Sequence, residues 1–490
     1  MKLSIAIVAL AAIAGVCSPT HAQKRKNKVL NEPAAVEPVK TIPATENSTT
    51  SPAAVLVVNS TADAMDVTPG NGVCETATGN GVCTFRAAVM EANALAAADT
   101  ITFASPLFDT AQTITLSGQV LISSEMTING PGADKLSISG GNVNRVIWAQ
   151  TFSTVTIRDL TLANGRADGD IGGGLVISEA SVTLERVHVK DSEAVYGGGI
   201  FVDGGALTIT RSAVTGNSAS DYGAGLFVNW GSATVTGSTF SGNTAQFIGG
   251  AIVNGETLFI SDSTITNNTA VNDMGGGIYD VGFLTIGNTI IAGNVAPNVA
   301  YSDLYSGGVL TSLGHNLVGV GNGQFNATGD QQGTAGTPLD AKLGPLGNSG
   351  GTTPTHSLLA GSPAIDAGSS AEATDQRGLT RVVDQPGYAN AAAGADIGAF
   401  EIQASTAAPV SVSGRVTDQY GRGVVDASVR FTDLSGVMKS ARTDAFGYYT
   451  MTDLSAGESY VVTVKTRKFT FNAQLFSPTS DFAGLDLTAR

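Results

Sequence analysis

The chain has 490 residues, of which 14% are charged and 61 are glycine, and it carries a formal charge of −15. That sign excludes a surface built on a lysine and arginine excess, which nucleic acid and anionic membranes require. A glycine-rich, weakly charged composition favours β-structure with many tight turns over long helices.

The first residues combine one basic residue (Lys2), an apolar run and the small-residue exit Thr20-His21-Ala22, which predicts a secretory signal peptide over 1–22, cleaved before Gln23. Lipid attachment at Cys17 is the rival reading, set against by Val16 and Ala14 at the positions before it. Losing residues 1–22 removes Lys2 and no acid, so the formal charge passes from −15 to −16. No later apolar run reaches the roughly 18 residues that span a bilayer. Residues 23–54, rich in Pro, Ala, Lys and Glu, read as a disordered linker.

Residues 55–111 read as an N-terminal capping module. Cys74 and Cys83 are the only cysteines left after cleavage, and in an exported chain an even pair points to a disulfide. Zinc is the alternative, for which two thiols without a nearby histidine supply too few ligands. Thr84–Ala98 has helical periodicity with Phe85, Ala88, Val89 and Ala92 on one face, so a short helix is expected to cap the exposed end of the next module.

From residue 112 to 295 the chain becomes short alternating strands with a countable period. Glycine-rich blocks begin at Gly172, Gly197, Gly223, Gly249 and Gly275, at spacings of 25, 26, 26 and 26 residues. A second landmark places Asn217, Asn243, Asn268 and Asn294 at spacings of 26, 25 and 26. The period is too short for a propeller blade and lacks the leucine-rich frame, but it suits one coil of a parallel β-helix with three strands and three turns. The expected class is all-β, a right-handed parallel β-helix of coils about 26 residues long, handedness following from the strong preference of parallel crossovers. Coils stack at about 4.8 Å, so equal positions form ladders. Val214, Phe240, Ile265 and Ile291 are expected to form an internal apolar one, and the four asparagines a structural one of amide hydrogen bonds.

Residues 296–403 lose the period, 404–410 read as a linker, and 411–490 alternate strand and turn at the size of a small transthyretin-like β-sandwich. Three segments resemble bacterial families. VNSTADAMDVTPGNGVC with GVCTFRAAVMEANA resembles the CSLREA domain, with Cys83-Thr84-Phe85-Arg86-Ala87-Ala88 in place of its name-giving residues. SLGHNLVG, LGPLGNSGGTTPTHSLLAGSPAIDAG, TDQRG and GADIGAFE are similar to the choice-of-anchor Q domain. SGRVTDQYGRGVVDASVRFTD with TDAFGYYTMTDLSAGESYVV resembles the carboxypeptidase regulatory-like domain, a sandwich without catalytic residues. Together they imply an exported pectin-lyase-like β-helix protein of surface type and no fixed reaction.

Catalysis on this fold calls for clustered acids with a base. The nearest cluster is Arg186, His188, Lys190 and Asp191, with Val187 and Val189 turned inward. Coil alignment places Asp159, Arg186, Arg211, Gly237, Asp262 and Asn288 in one external column, read as a solvated ladder. Asp159, Arg186, His188 and Arg211 are the catalytic candidates, yet the paired acids that glycoside hydrolysis needs are missing from the pattern. Asp168 and Asp170 are the local pair that could hold calcium, the one cofactor considered, against an acid-rich turn as the plain reading. His315 and His356 lack companion ligands and read as structural.

The favoured function is a non-catalytic scaffold, a monomer outside the cytoplasm, at the cell surface or in the periplasm, binding extracellular polysaccharide or a cell-surface protein. The alternative is a polysaccharide lyase or glycoside hydrolase acting on an acidic glycan.

Overall fold

The computed structural model describes residues 53–490 except 151, 322, 386, 393, 404–408 and 434–435, so the signal peptide, Cys17, nearly all of the 23–54 linker and most of the 404–410 linker lie outside the described residues. Among the described residues no helix is long and apolar enough to cross a membrane.

The described chain is nearly all β, a parallel β-solenoid of about 8 turns followed by a sandwich-like domain. One coil shows the construction. Leu175–Glu185 lies in a long sheet, the chain turns at Arg186, His188–Lys190 lies in a second sheet, it turns again at Asp191, and Glu193–Tyr196 lies in a third. Gly197 then returns it to the long sheet at Ile200–Thr210. Each corner is a residue in the left-handed region, and in the coils from 166 to 275 the third-to-long corner is always glycine: Gly172, Gly197, Gly223, Gly249 and Gly275. Two needs coincide there. Glycine takes φ > 0 without steric cost, and a Cβ on Gly249 would lie 2.3 Å from Val253 Cγ2, one on Gly197 2.9 Å from Phe201 Cβ.

Parallel register stacks like on like. Leu175, Ile200, Leu226, Ile252, Ile278 and Leu304 align along the long sheet, and Val189, Val214, Phe240, Ile265, Ile291 and Val318 along the second. All are buried in one continuous core. Burial of each such side chain contributes about 1.5–3 kcal/mol. The stack runs beyond 112–295 at both ends, because Val55–Val58 already pairs in parallel with Asp99–Phe103 and Leu317–Val318 with Gln331–Gln332.

Two polar ladders run beside this core. Asn217 Nδ2 donates to Asn243 Oδ1, Asn243 Nδ2 to Asn268 Oδ1 and Asn268 Nδ2 to Asn294 Oδ1, each at 2.9 Å, while each amide also donates to a carbonyl of the second sheet. The last rung, Asn294, donates through both its nitrogens to Asp303 Oδ1 at 2.9 Å. The other ladder runs along the first corner: the backbone N–H of Ser212, Ser238, Ser263 and Thr289 donates to the side chain of Ser238, Ser263, Thr289 and Asn316 in turn, and Asn316 N–H ends on Asp330. Each ladder thus closes on a carboxylate, which only accepts and so leaves no N–H or O–H of its own in need of a further acceptor.

At the N-terminal end the helix is Phe85–Ala94, shorter than the 84–98 periodicity because the chain turns extended at Leu95. Thr84 caps it by accepting from Ala87 N–H. Phe85, Ala88, Val89 and Ala92 cover the first coils. Arg86 binds Asp63 through two 2.9 Å contacts, and buried Glu91 accepts from the N–H of Gly70 and Gly72. Cys74 and Cys83 are disulfide-bonded with Cα atoms 5.2 Å apart.

Residues from 339 to 402 return over the outer face of the second sheet. Ile290, Ala292 and Leu317 face outward there and are covered by Leu358, Ile365, Ile397 and Phe400. Further along, Thr239 donates to Gln376 Oε1 (2.6 Å), His356 Nε2 hydrogen-bonds Ser241 Oγ (2.9 Å), and Ala399 N–H donates to Thr264 Oγ1 (3.1 Å). The C-terminal domain has two four-stranded sheets around a separate core of Val412, Val416, Val429, Phe431, Tyr449, Met451 and Val462.

Candidate functional site

The catalytic candidates converge, but on one another. Asp159, Arg186 and Arg211 are all corner residues, with φ of 54°, 53° and 50°. Arg186 binds Asp159 bidentately (2.6 and 2.8 Å), and Glu185 takes Arg186, Arg211 (2.6 Å) and Arg158 (2.9 Å). Burial opposes the ionisation of Glu185, but the three guanidinium groups outweigh it and hold its carboxyl below the usual range. His188 hydrogen-bonds Thr215 Oγ1 at 2.7 Å, and desolvation first, then Lys190, disfavours its imidazolium. A base and its acids are therefore not poised around an open space here. The lower part of the column departs from the solvated reading: Asp262 and Asn288 are buried under the returning segment, where Arg381 Nη1 meets Asp262 at 2.8 Å and Asn288 donates to Asp262 and to Asp396 O.

Asp168 and Asp170 are each taken by a different arginine, Arg166 at 2.6 Å and Arg145 at 2.8 Å. Among the described residues no three His, Cys, Asp or Glu side chains are grouped to hold a metal ion. His315 and His356 are buried and hydrogen-bond through Nδ1 to Ala367 O and Gly344 O. The returning segment buries a second ionic group: Arg377 on Asp375 and against the Phe400 ring, and Glu401 accepting from Val383 and Asp396 N–H. Burial first and Glu401 second push Asp396 up to about 7. A cavity of about 460 Å³ lies beside Asn294, Asp303 and Lys342 at the end of the asparagine ladder, where burial raises Asp303 to about 6.

The surface with unassigned chemistry is elsewhere. The residue before each corner glycine is Ile171, Tyr196, Tyr222, Ile248 and Met274, and the outward row of the adjoining strand is Val176, Phe201, Phe227, Val253, Tyr279 and Tyr305. The corner side chains lean on that row. Tyr196 and Tyr222 have ring centres 5.4 Å apart, Tyr196 meets Phe227 at 6.1 Å edge-on, Phe247 meets Tyr222 at 6.1 Å, and Tyr279 stacks on Tyr305 at 4.9 Å with Tyr301 edge-on at 5.2 Å. Five of the chain's ten tyrosines thus form one ridge. Phe201, Phe227 and Tyr279 are buried beneath it, while Tyr196, Tyr222, Tyr301 and Tyr305 are half-buried and Phe247 is exposed.

Two carboxylates sit among these rings. The Tyr196 hydroxyl donates to Asp221, and Asp273 lies within electrostatic reach of both Tyr222 and Tyr279. Desolvation, then Asp221, pushes the Tyr196 phenol up to about 12, and burial raises Asp273. No cation balances them along the chain: residues 212–341 hold eight acids and no Lys or Arg. Sequence reasoning aimed at catalytic acids and bases misses this ridge. Its signal is a large side chain ahead of each glycine block, repeating with the coil.

Residues 411–481 match the carboxypeptidase regulatory-like domain. The match covers most of the two-sheet C-terminal domain, short of its last strands Phe482–Ala483 and Leu487–Thr488, and lies wholly outside the solenoid. No curated protein matches the chain.

Proposed function

We propose that this chain is a non-catalytic scaffold, exported and displayed outside the cytoplasm, whose solenoid binds an extracellular polysaccharide along the tyrosine ridge. The observation that carries this is the ridge itself, a line of half-buried rings stacked from coil to coil, with phenol hydroxyls and two carboxylates among them. Such surfaces suit sugars, whose apolar faces lie on aromatic rings while their hydroxyls meet polar groups, as in ligand sites generally. The signal-like N-terminus, the CSLREA-like module and the choice-of-anchor Q-like segment support export and surface display. In this reading the solenoid is pectin-lyase-like in form, and the carboxypeptidase regulatory-like domain serves as stalk or docking module.

The lyase or hydrolase alternative needs a free cation or paired acids, whereas Arg186 and Arg211 are held by Asp159 and Glu185. Mature protein spanning 23–490, applied to a glycan array, is expected to retain a polysaccharide, and Tyr222→Ala to lose it. A folded protein that retains no glycan would refute the proposal.

A further inference from the structure

We infer that the ridge selects a polysaccharide bearing ammonium groups, an amino-sugar chain with free amines laid along the solenoid axis. This rests on the glycan-binding proposal above and narrows it. The charged groups among the rings are both carboxylates, Asp221 and Asp273, and the stretch of chain from 212 to 341 supplies no Lys or Arg to neutralise them. A uronate or sulfate ester would meet like charge there, so an acidic glycan is repelled. A neutral sugar would cover Asp273, already partly desolvated, without giving it a counter-charge.

An ammonium group answers both needs. Tyrosine faces are the negative pole of the ring quadrupole and attract cations, more strongly as water is removed. The carboxylate of Asp221, engaged by one phenol hydroxyl, keeps further lone pairs for an N–H donor. The phenols themselves stay protonated, since burial raises Tyr196, Tyr222 and Tyr279. Spacing supplies the polymer. Ring contacts recur between neighbouring coils, with centres at 5.4 Å in one coil step and 4.9 Å in another, and the two carboxylates stand two coils apart, about 9.6 Å at a strand separation of about 4.8 Å. An extended chain therefore meets both acid positions at once, and weak contacts add through multivalency.

Calorimetric titration of the mature protein with a glucosamine oligomer, its N-acetylated counterpart and an oligogalacturonate of equal length tests this. The amine form is expected to bind roughly tenfold or more tightly than the acetylated one, to weaken as salt is raised, and to lose its advantage in the isosteric Asp221→Asn/Asp273→Asn variant. Tyr222→Ala should weaken both amine and acetylated forms, and Tyr222→Phe should keep the amine preference. Equal affinity for the amine and acetylated forms would overturn the ammonium inference while leaving glycan binding intact. Tighter binding of the oligogalacturonate, or an amine preference that survives in the double Asn variant, would overturn it as well. Binding of none of the three would bring down the inference and the glycan-binding proposal together.

Discussion

The outer face of the second sheet and the tyrosine ridge share one coil period, yet the first is closed by the protein's own chain and the second is left open among the described residues. On the closed face most charges are met within the chain: Arg381 on Asp262, Arg377 on Asp375, and Glu401 on backbone N–H groups, with Asp396 the exception, raised by burial and by Glu401. On the ridge, carboxylates stand among aromatic rings without arginine or lysine in the neighbouring sequence. Breaking a buried ion pair leaves an uncompensated charge, which ties the returning segment to the sheet, whereas partly desolvated acids beside rings are an arrangement suited to a partner. Repetition supplies the ladder in both places, and side-chain pairing separates the face the chain closes from the one proposed to bind.

The largest effect should come from the core both faces share. Phe240→Asp places a carboxylate in a fully buried ladder, where loss of the aromatic alone costs about 3–5 kcal/mol and an uncompensated charge adds to it. Because each coil templates the next, a chemical denaturation curve should show a large loss of stability or a broken transition. Arg381→Met should come close behind. It leaves Asp262 and Glu401 buried without their cation, a change worth about 3–5 kcal/mol. Limited proteolysis should then cut within 339–402 while the ridge-bearing coils stay protected. Equal protection of wild type and variant would break the distinction between closed and open faces.

The closed face should also respond to pH. Asp396 is raised to about 7 in the folded chain, above the carboxylate value of about 3.9 in unfolded chains. The folded state then binds more protons, so this contribution is full below about pH 4 and is lost as pH rises through about 7. Amide hydrogen exchange around Asp366, Asp396 and Ile402 should speed up, relative to the intrinsic rate, between those limits. A flat profile would rule out Asp396 as the titrating group. The smallest effect is expected at the other candidates: Arg211→Ala, in a half-exposed network, should change stability by about 1 kcal/mol or less.

Much of the fold was legible because the physics of stacking is local and periodic. A glycine in the left-handed region every 26 residues, an asparagine one turn earlier and an apolar ladder residue fix coil length and register, and the observed pairs Val214–Phe240 and Phe240–Ile265 obey that register. The serine ladder carried the same signal in Ser212, Ser238 and Ser263 but was masked by the commonness of serine in turns. What the repeat could not show was the return of 339–402, whose contacts with Thr239, Asp262 and Asn288 join residues more than a hundred positions apart with no period to align them. Asp262 and Asn288 therefore read as solvated when they are buried. The ridge was hidden for a different reason: it is aromatic rather than a cluster of titratable groups, and its tyrosines come from two different rows of each coil.

The proposed scaffold function is tested most directly by incubating the protein spanning 23–490 with polygalacturonate and with a glucosamine polymer, and following unsaturated products and reducing ends over time. Retention of the amine polymer with no product from either is predicted, in wild type and in Arg186→Ala/Arg211→Ala alike. Product release by the wild type that disappears in the double arginine variant would contradict a scaffold and establish the arginine network as an active site.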